Sequence, residues 1–375
     1  MDGSNNLLPK KRLVSLDALR GFDMLWLIGA PIIRNSIDSL HFSGGKLLTG
    51  QLVHSAWNGF TFYDLIFPLF IFISGVSTVF SIQKQLENNV SRSPIFRRIL
   101  KRTVLLFLLG IIYNGGVSQA PLWENIRIMG VLQRIALCYF FASVLLLTTT
   151  VKGQAVATGV ILMGYWLLMR FVPVPGYGPG VWSFEGNLVR YVDELLLPGK
   201  LYWGSWDPEG ILSTLPAIAT CLMGVLTGHW LRSGFTKEIT TCKKAVYLFL
   251  VGLGGVLAGS MANPIFPINK SMWTSSYVLL TGGLSAMLLA AFYWIIDIKG
   301  HQKWAFPFIV IGLNSIAIYL AVNIIPFASI VNRLVGGDIS AWLGPGQELF
   351  KGAIQLALAW LFLYWLYRRK IFIKI

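Results

Sequence analysis

Ten long, largely apolar stretches recur along this chain, far more than one soluble core can bury. They lie at about 13–35, 60–82, 98–113, 128–149, 154–172, 210–231, 244–262, 274–296, 305–325 and 350–367. Most approach the roughly 20 residues a helix needs to cross the hydrocarbon core of a bilayer. In lipid only helices and closed barrels satisfy their own backbone hydrogen bonds. The pattern therefore predicts an all-α fold: a polytopic integral membrane protein of about ten transmembrane helices, with residues 1–375 forming a single membrane domain. Composition agrees, since only 13% of residues are charged against about 25% in soluble domains.

The net charge of +15 raises the question of a nucleic-acid partner, and its distribution answers against one. The basic residues fall in short clusters between the apolar runs. With the N-terminus in the cytoplasm, the cytoplasmic loops hold 20 of the 31 Lys and Arg residues, among them Lys10–Arg12, Arg92, Arg97, Arg98, Lys101, Arg102, Lys237, Arg368–Lys370 and Lys374. The positive-inside rule then places both termini in the cytoplasm and makes the lipid bilayer the partner. The first run contains Asp17, Arg20 and Asp23, which does not suit a signal-peptide core, so it reads as a retained helix. Cys138 and Cys221 fall inside runs and Cys242 in a loop. Neither a disulfide framework nor a metal-ligand spacing is visible, and no metal is expected. The chain also lacks a P-loop and a G-x-S-x-G elbow.

Ionisable groups inside a membrane helix are costly and mark candidate function. Residues 54–77 read H-S-A-W-N-G-F-T-F-Y-D-L-I-F-P-L-F-I-F-I-S-G-V-S, placing His54, Trp57, Asn58 and Asp64 at the mouth of the second span. A carboxylate beside an imidazole fixes its tautomer and raises its basicity, and Gly59 permits the turn that would fold His54 toward Asp64. The plainer alternative is a loop histidine beside an acid that favours a helix N-terminus. In the first span Asp17 and Arg20 share a face, as a structural ion pair or as the lining of a substrate path, and Asp23 lies near the midplane. Arg127 and Arg134 are seven apart in one predicted helix. A buried arginine needs a partner, for which Asp17, Asp23, Asp64 or an anionic ligand are candidates. Asp207-Pro208-Glu209-Gly210 has the form of a helix start. Asn269, Lys270 and Asn314 are further candidates for ligand contact, whereas His41, His229 and His301 read as structural. The aromatic segment 173–209 reads as an interfacial belt or as a lid over a pocket.

Taken together, L-D-A-L-R-G, H-S-A-W-N-G-x-T-x-x-D-L-x-F-P, I-R-I-M-G-V-L-Q-R, V-P-V-P-G-Y-G-P-G, D-P-E-G-I-L-S-T, P-I-N-K-S-M-W-T-S-S-Y-V and the terminal Y-R-R-K-I-F-I-K-I resemble the heparan-alpha-glucosaminide N-acetyltransferase family, in order from residue 12 to 375. The resemblance implies a bacterial-type transmembrane acetyltransferase of the inner membrane. It would take the acetyl group of cytoplasmic acetyl-CoA and pass it to the amine of a glucosamine-type sugar or glycan terminus on the periplasmic side. The resemblance also suggests a homodimer. The family's active-site histidine matches His54 and its following acid Asp64; an asparagine of the family falls at Pro31, with Asn35 one turn later. On this expectation Asp17, Arg20, Asp23, Arg134, Asp64 and His54 line one polar corridor, with Asn58 or Gln133 supporting the carbonyl oxygen. Transfer would be direct or through an acetyl-histidine. Two rivals stand beside it: an O-acetyltransferase of a cell-envelope glycan, and a non-enzymatic transporter or scaffold, which would call for inverted repeats that the sequence does not display.

Overall fold

The computed structural model describes residues 13–40, 44–115, 122–233, 241–337 and 342–373. Lys10–Arg12, His41, Lys237 and Lys374 lie outside them. The described residues form helices: α1 (Val14–Asp38), α2 (Gly45–Gly50), α3 (Phe62–Glu87), α4 (Arg92–Asn114), α5 (Leu122–Asn125), α6 (Val131–Thr148), α7 (Val151–Phe171), α8 (Leu188–Leu196), α9 (Ile211–Ser233), α10 (Thr241–Ala262), α11 (Ser275–Phe292), α12 (Phe306–Leu313), α13 (Ser315–Ile324), α14 (Phe327–Val335) and α15 (Gln347–Arg368). A π-turn, Tyr293–Ile298, extends α11. No strand occurs among the described residues, only two isolated bridges, Arg127 with Gly199 and Val174 with Gly178.

By length and composition, 7 described helices suit a membrane span: α3, α6, α7, α9, α10, α11 with its π-turn, and α15. The pair α12 and α13, bent by 66°, makes up to 8 if it is one span. α1 and α4 have the length, at 25 and 23 residues, but are rich in the Asp, Arg and Lys residues noted above. This is the architecture of a polytopic membrane protein. α3 is its central helix, with 78% of its apolar window buried, whereas α7, α10 and α15 bury 22% and turn outward. Side chains on those faces, such as Val160, Val251 and Leu361, are exposed as lipid-facing residues would be.

Several helix pairs approach backbone to backbone, α10 with α11 at Gly252 and Gly283 among them, as membrane helices do where small residues meet. A Cβ on Gly21 of α1 would lie 1.7 Å from the Phe308 carbonyl oxygen, and one on Gly75 of α3 would lie 2.0 Å from that of Cys221 in α9.

The third predicted span begins earlier, at Arg92 rather than near 98, and two others differ in ways that bear on the site. The fourth starts at Val131 rather than near 128, after an extended Gly130; Arg127 is thereby left in the connection, not on the helix with Arg134. The ninth breaks at Asn314, whose φ of −130° and ψ of 37° are not helical. The bundle has two ends. At one, the connections interlock: Gly59 N–H donates to the Ile268 carbonyl at 2.8 Å, and Trp57 Nε1 donates to the Trp182 carbonyl at 2.8 Å. At the other, the N–H groups of Val14 and Ser15 donate to Asp297 at 3.2 and 3.1 Å, and Arg232 pairs with Glu87.

Candidate active site

The site begins with the start of α3. Thr61 is its N-cap and Asp64 its third residue, together a capping box. Asp64 Oδ2 accepts from Thr61 N–H at 3.0 Å, Thr61 Oγ1 at 3.1 Å and Ser55 N–H at 3.2 Å. Its other oxygen, Oδ1, lies 2.8 Å from His54 Nδ1. The helix-capping and imidazole-pairing readings of Asp64 are therefore both true of one carboxylate. Gly59, at φ 119°, makes the turn that brings residue 54 back to residue 64. Asp64 is fully buried while the His54 side chain is 47% exposed. The ring stacks on Tyr63, with centroids 4.6 Å apart. The crowding around His54 holds its pKa below the ordinary 6.5; the hydrogen bond to Asp64 opposes this and the charge of Lys270 adds to it. The imidazole is thus neutral near neutral pH. Its Nδ1–H donates to Asp64, and its basic lone pair is on Nε2.

Lys270 Nζ lies 2.8 Å from that Nε2. Desolvation pulls the ammonium below the usual lysine value, against the charges of Glu209 and Asp64, and Arg134 adds to the fall. The segment bearing Lys270 is tied to the His54 loop by buried Asn269. Its Nδ2 donates to the Trp57 carbonyl at 3.0 Å and to Asn58 Oδ1 at 3.1 Å, and its Oδ1 accepts from Met272 N–H at 2.8 Å. Asn269 is a brace with its amide fully used, not a ligand contact. Asn58 is exposed, and its oxygen is the atom engaged by Asn269. Tyr277 Oη donates to the Asp64 carbonyl oxygen at 2.6 Å, closing the site from below.

A second polar cluster meets the first at the head of α9. Arg127 clasps Asp207 at 2.6 and 2.7 Å and reaches Glu209 at 2.7 Å. Burial works against its charge, but Asp207 and Glu209 prevail and hold its pKa above the arginine norm. Asp207 is not the cap of α9: the first helical N–H, that of Ile211, donates to Asp193 Oδ1 at 3.0 Å. Burial pushes Asp193 up to about 7 despite that bond and a second from Asp207 N–H. Gly210 is needed there, since a Cβ would lie 1.9 Å from Asp193 Oδ2. Segment 173–209 packs over the site as a cap. The fully buried Trp206 stacks edge-on against Trp57 and Phe184 at 5.7 and 5.6 Å. Of these parts His54, Trp57, Asn58, Asp64, Arg127, Asn269, Lys270, the Asp207–Gly210 start and the aromatic segment stood out in the sequence; Asp193 and the role of Tyr277 did not.

A family model described as "Heparan-alpha-glucosaminide N-acetyltransferase, catalytic" matches residues 12–256. The chain belongs to this family. Among curated proteins it is similar to heparan-alpha-glucosaminide N-acetyltransferase of Mus musculus and of Homo sapiens, each 30% identical over 419 residues, covering 97% of this chain and 60% of the relative. The chain thus spans about three-fifths of the length of these relatives, and the matched region of the family model takes in His54, Asp64, Arg127, Arg134 and Glu209.

The other residues expected from the sequence are dispersed. Arg134, fully buried, forms no ion pair with Asp17, Asp23 or Asp64. Its guanidinium bonds Ser213 Oγ and, at 3.5 Å, the Gly210 carbonyl, and lies 4.8 Å from the Trp273 ring centre. Its Nε and Nη1, both oxygens of Asp23 and both polar atoms of Gln133 are buried without a hydrogen-bond partner. Arg20 lies 3.4 Å from Asp17 and donates to Ser77 Oγ at 2.5 Å and the Gly312 carbonyl at 3.5 Å. A cavity between α1, α3, α6 and α13 has a volume of about 10 Å³ and apolar walls that include Met24, Phe67, Leu132 and Tyr319, room for about one water. Asn314 holds the chain terminus: its Nδ2 donates to the Ile371 carbonyl at 3.0 Å and its Oδ1 accepts from Ile373 N–H at 2.9 Å. Among the described residues no group of three or more His, Cys, Asp or Glu side chains is placed to hold a metal ion.

Proposed function

We propose that the protein is a transmembrane acetyltransferase that transfers the acetyl group of acetyl-CoA to the amine of a glucosamine-type sugar or glycan terminus. The observation that carries this reading is the line Lys270 Nζ, His54 Nε2, His54 Nδ1, Asp64 Oδ1, with 2.8 Å at each contact between residues. It presents an oriented, neutral base toward solvent in a setting that already accommodates an amine. His54 Nε2 takes a proton from the acceptor ammonium, the freed amine attacks the thioester carbonyl, and Asp64 stabilises the imidazolium. Asn58, whose Oδ1 is held by Asn269, keeps its amide N–H groups to donate to the carbonyl oxygen. The site already holds one amine, that of Lys270, 2.8 Å from His54 Nε2, and this supports the amine reading over ester formation.

In this reading the chain crosses the inner membrane ten times with both termini in the cytoplasm, and the His54 end opens to the periplasm. The donor enters from the basic opposite end. The buried, unpartnered groups of Gln133, Arg134 and Asp23 are those that would meet its acetyl arm once the helices part, and two copies form the homodimer. The test is purified protein in detergent with labelled acetyl-CoA and a panel of amino sugars and their hydroxyl analogues, with products read by mass spectrometry. Acetamide on the amino sugars is the expected product. Acetyl esters, or no transfer to any of the panel, would overturn the reading.

A further inference from the structure

Lys270 is a primary amine, the same functional group as the acceptor, and it stands where that acceptor must stand. Its Nζ is 2.8 Å from His54 Nε2, the atom that would deprotonate the sugar ammonium. The contact does not depend on a free lysine arm. Asn269, the residue before it, is fixed to the Trp57 carbonyl, to Asn58 and to Met272 N–H, and Gly59 N–H donates to the Ile268 carbonyl two residues earlier. The backbones that carry the imidazole and the amine are therefore clamped to each other from both sides. The surrounding protein also favours the neutral form of the amine, which is the nucleophilic one.

We propose that Lys270 is a modification site at which the enzyme acetylates itself whenever donor is present and no sugar amine occupies the site. This rests on the acetyl-transfer reading above. In the step, the lone pair of Nζ attacks the thioester carbonyl. The N–C bond forms and the C–S bond breaks; the proton lost from Nζ passes to His54 Nε2 and from there to the departing thiolate. No oxidant, reductant or further reactant is required. The product, Nε-acetyl-lysine, is an amide with no activated bond, so the acetyl group is not passed on. It removes a cation from the site and sets an acetamide against the base, which shuts the sugar out. The protein would thus inactivate itself under excess donor, and acceptor would protect it.

The experiment uses the full-length wild-type protein in detergent with carbon-13-labelled acetyl-CoA, with and without glucosamine, followed by peptide mapping. The expected result is one labelled acetyl group on the peptide containing Lys270, appearing in step with loss of transfer activity. Acceptor at ten times its KM should slow that labelling about tenfold, as simple competition for one site requires. His54→Ala should leave Lys270 unlabelled, and Lys270→Arg should retain whatever activity it has through prolonged exposure to donor. Lys270 found unmodified in a preparation that acetylates glucosamine would overturn this inference and leave the acetyl-transfer reading standing. Equal labelling in wild type and His54→Ala would show uncatalysed chemistry and overturn it as well. Failure of both glucosamine and Lys270 to take the label would overturn the two together.

Discussion

The polar groups around His54 and those inside the bundle are built on opposite terms. Around His54, Asp64 uses both oxygens, Asn269 uses its whole amide, and both imidazole nitrogens have partners. Inside the bundle, Asp23 and Gln133 use none of theirs, and Arg134 leaves two of its nitrogens unpaired. A satisfied buried network fixes geometry. An unsatisfied buried atom costs about 1–3 kcal/mol, a cost relieved where water or substrate supplies the missing partner. The first region is a rigid seat for a base, and the second has the character of a passage that closes when nothing is in it.

The largest expected effect breaks the seat. Asp64→Asn should lower kcat/KM by about 10²–10⁴-fold, the usual worth of general-base chemistry, measured by label transfer. The pH dependence sharpens the point. His54 acts as a base only when unprotonated, and its pKa lies below 6.5. Wild-type kcat/KM should therefore be level at neutral pH and fall only as pH drops through that depressed value. Asp64 raises the His54 pKa and Lys270 lowers it, so the acid limb should move to lower pH in Asp64→Asn and to higher pH in Lys270→Met.

Next in size is the support at the head of α9. Asp207→Asn leaves Arg127 without its bidentate partner and should cost about 3 kcal/mol of stability, as for a broken buried pair, read as a fall in melting temperature in detergent. Asn269→Ala should cost about 1–3 kcal/mol, since it orphans the Trp57 carbonyl and Met272 N–H, and should also lower kcat/KM by loosening the His54–Lys270 contact. Asp23→Leu is expected to run the other way. Removing an unpaired buried carboxylate should raise the melting temperature, while transfer falls because the passage loses a polar wall; a fall in both would contradict the contrast drawn here. The smallest effect belongs to Asn314→Ala, about 1 kcal/mol, visible as faster proteolysis of the segment after Arg368.

Much of this was legible in the chain before any coordinates. The runs gave the helices because burial in lipid demands long apolar segments, and His54 with Asp64 stood out because they lie ten positions apart with one glycine between them. The Lys270 contact was hidden, since it joins residues 216 apart and no periodicity relates them. The contacts of Arg134 were hidden for the same reason: Ser213, the Gly210 carbonyl and the Trp273 ring lie far from it along the chain. Asn269 and Asn314 were read as ligand contacts because an amide in an apolar setting signals need, but not for what. Apart from Asn58 Oδ1, the partners of these amides are backbone groups, which every residue possesses and no sequence marks.

Transfer of labelled acetyl from acetyl-CoA to glucosamine by wild type and by His54→Ala, compared at equal amounts of protein with matching melting temperatures, tests the central claim most directly. Loss of about a hundredfold or more in the variant is the expected result. A His54→Ala protein that transfers acetyl at the wild-type rate would contradict it.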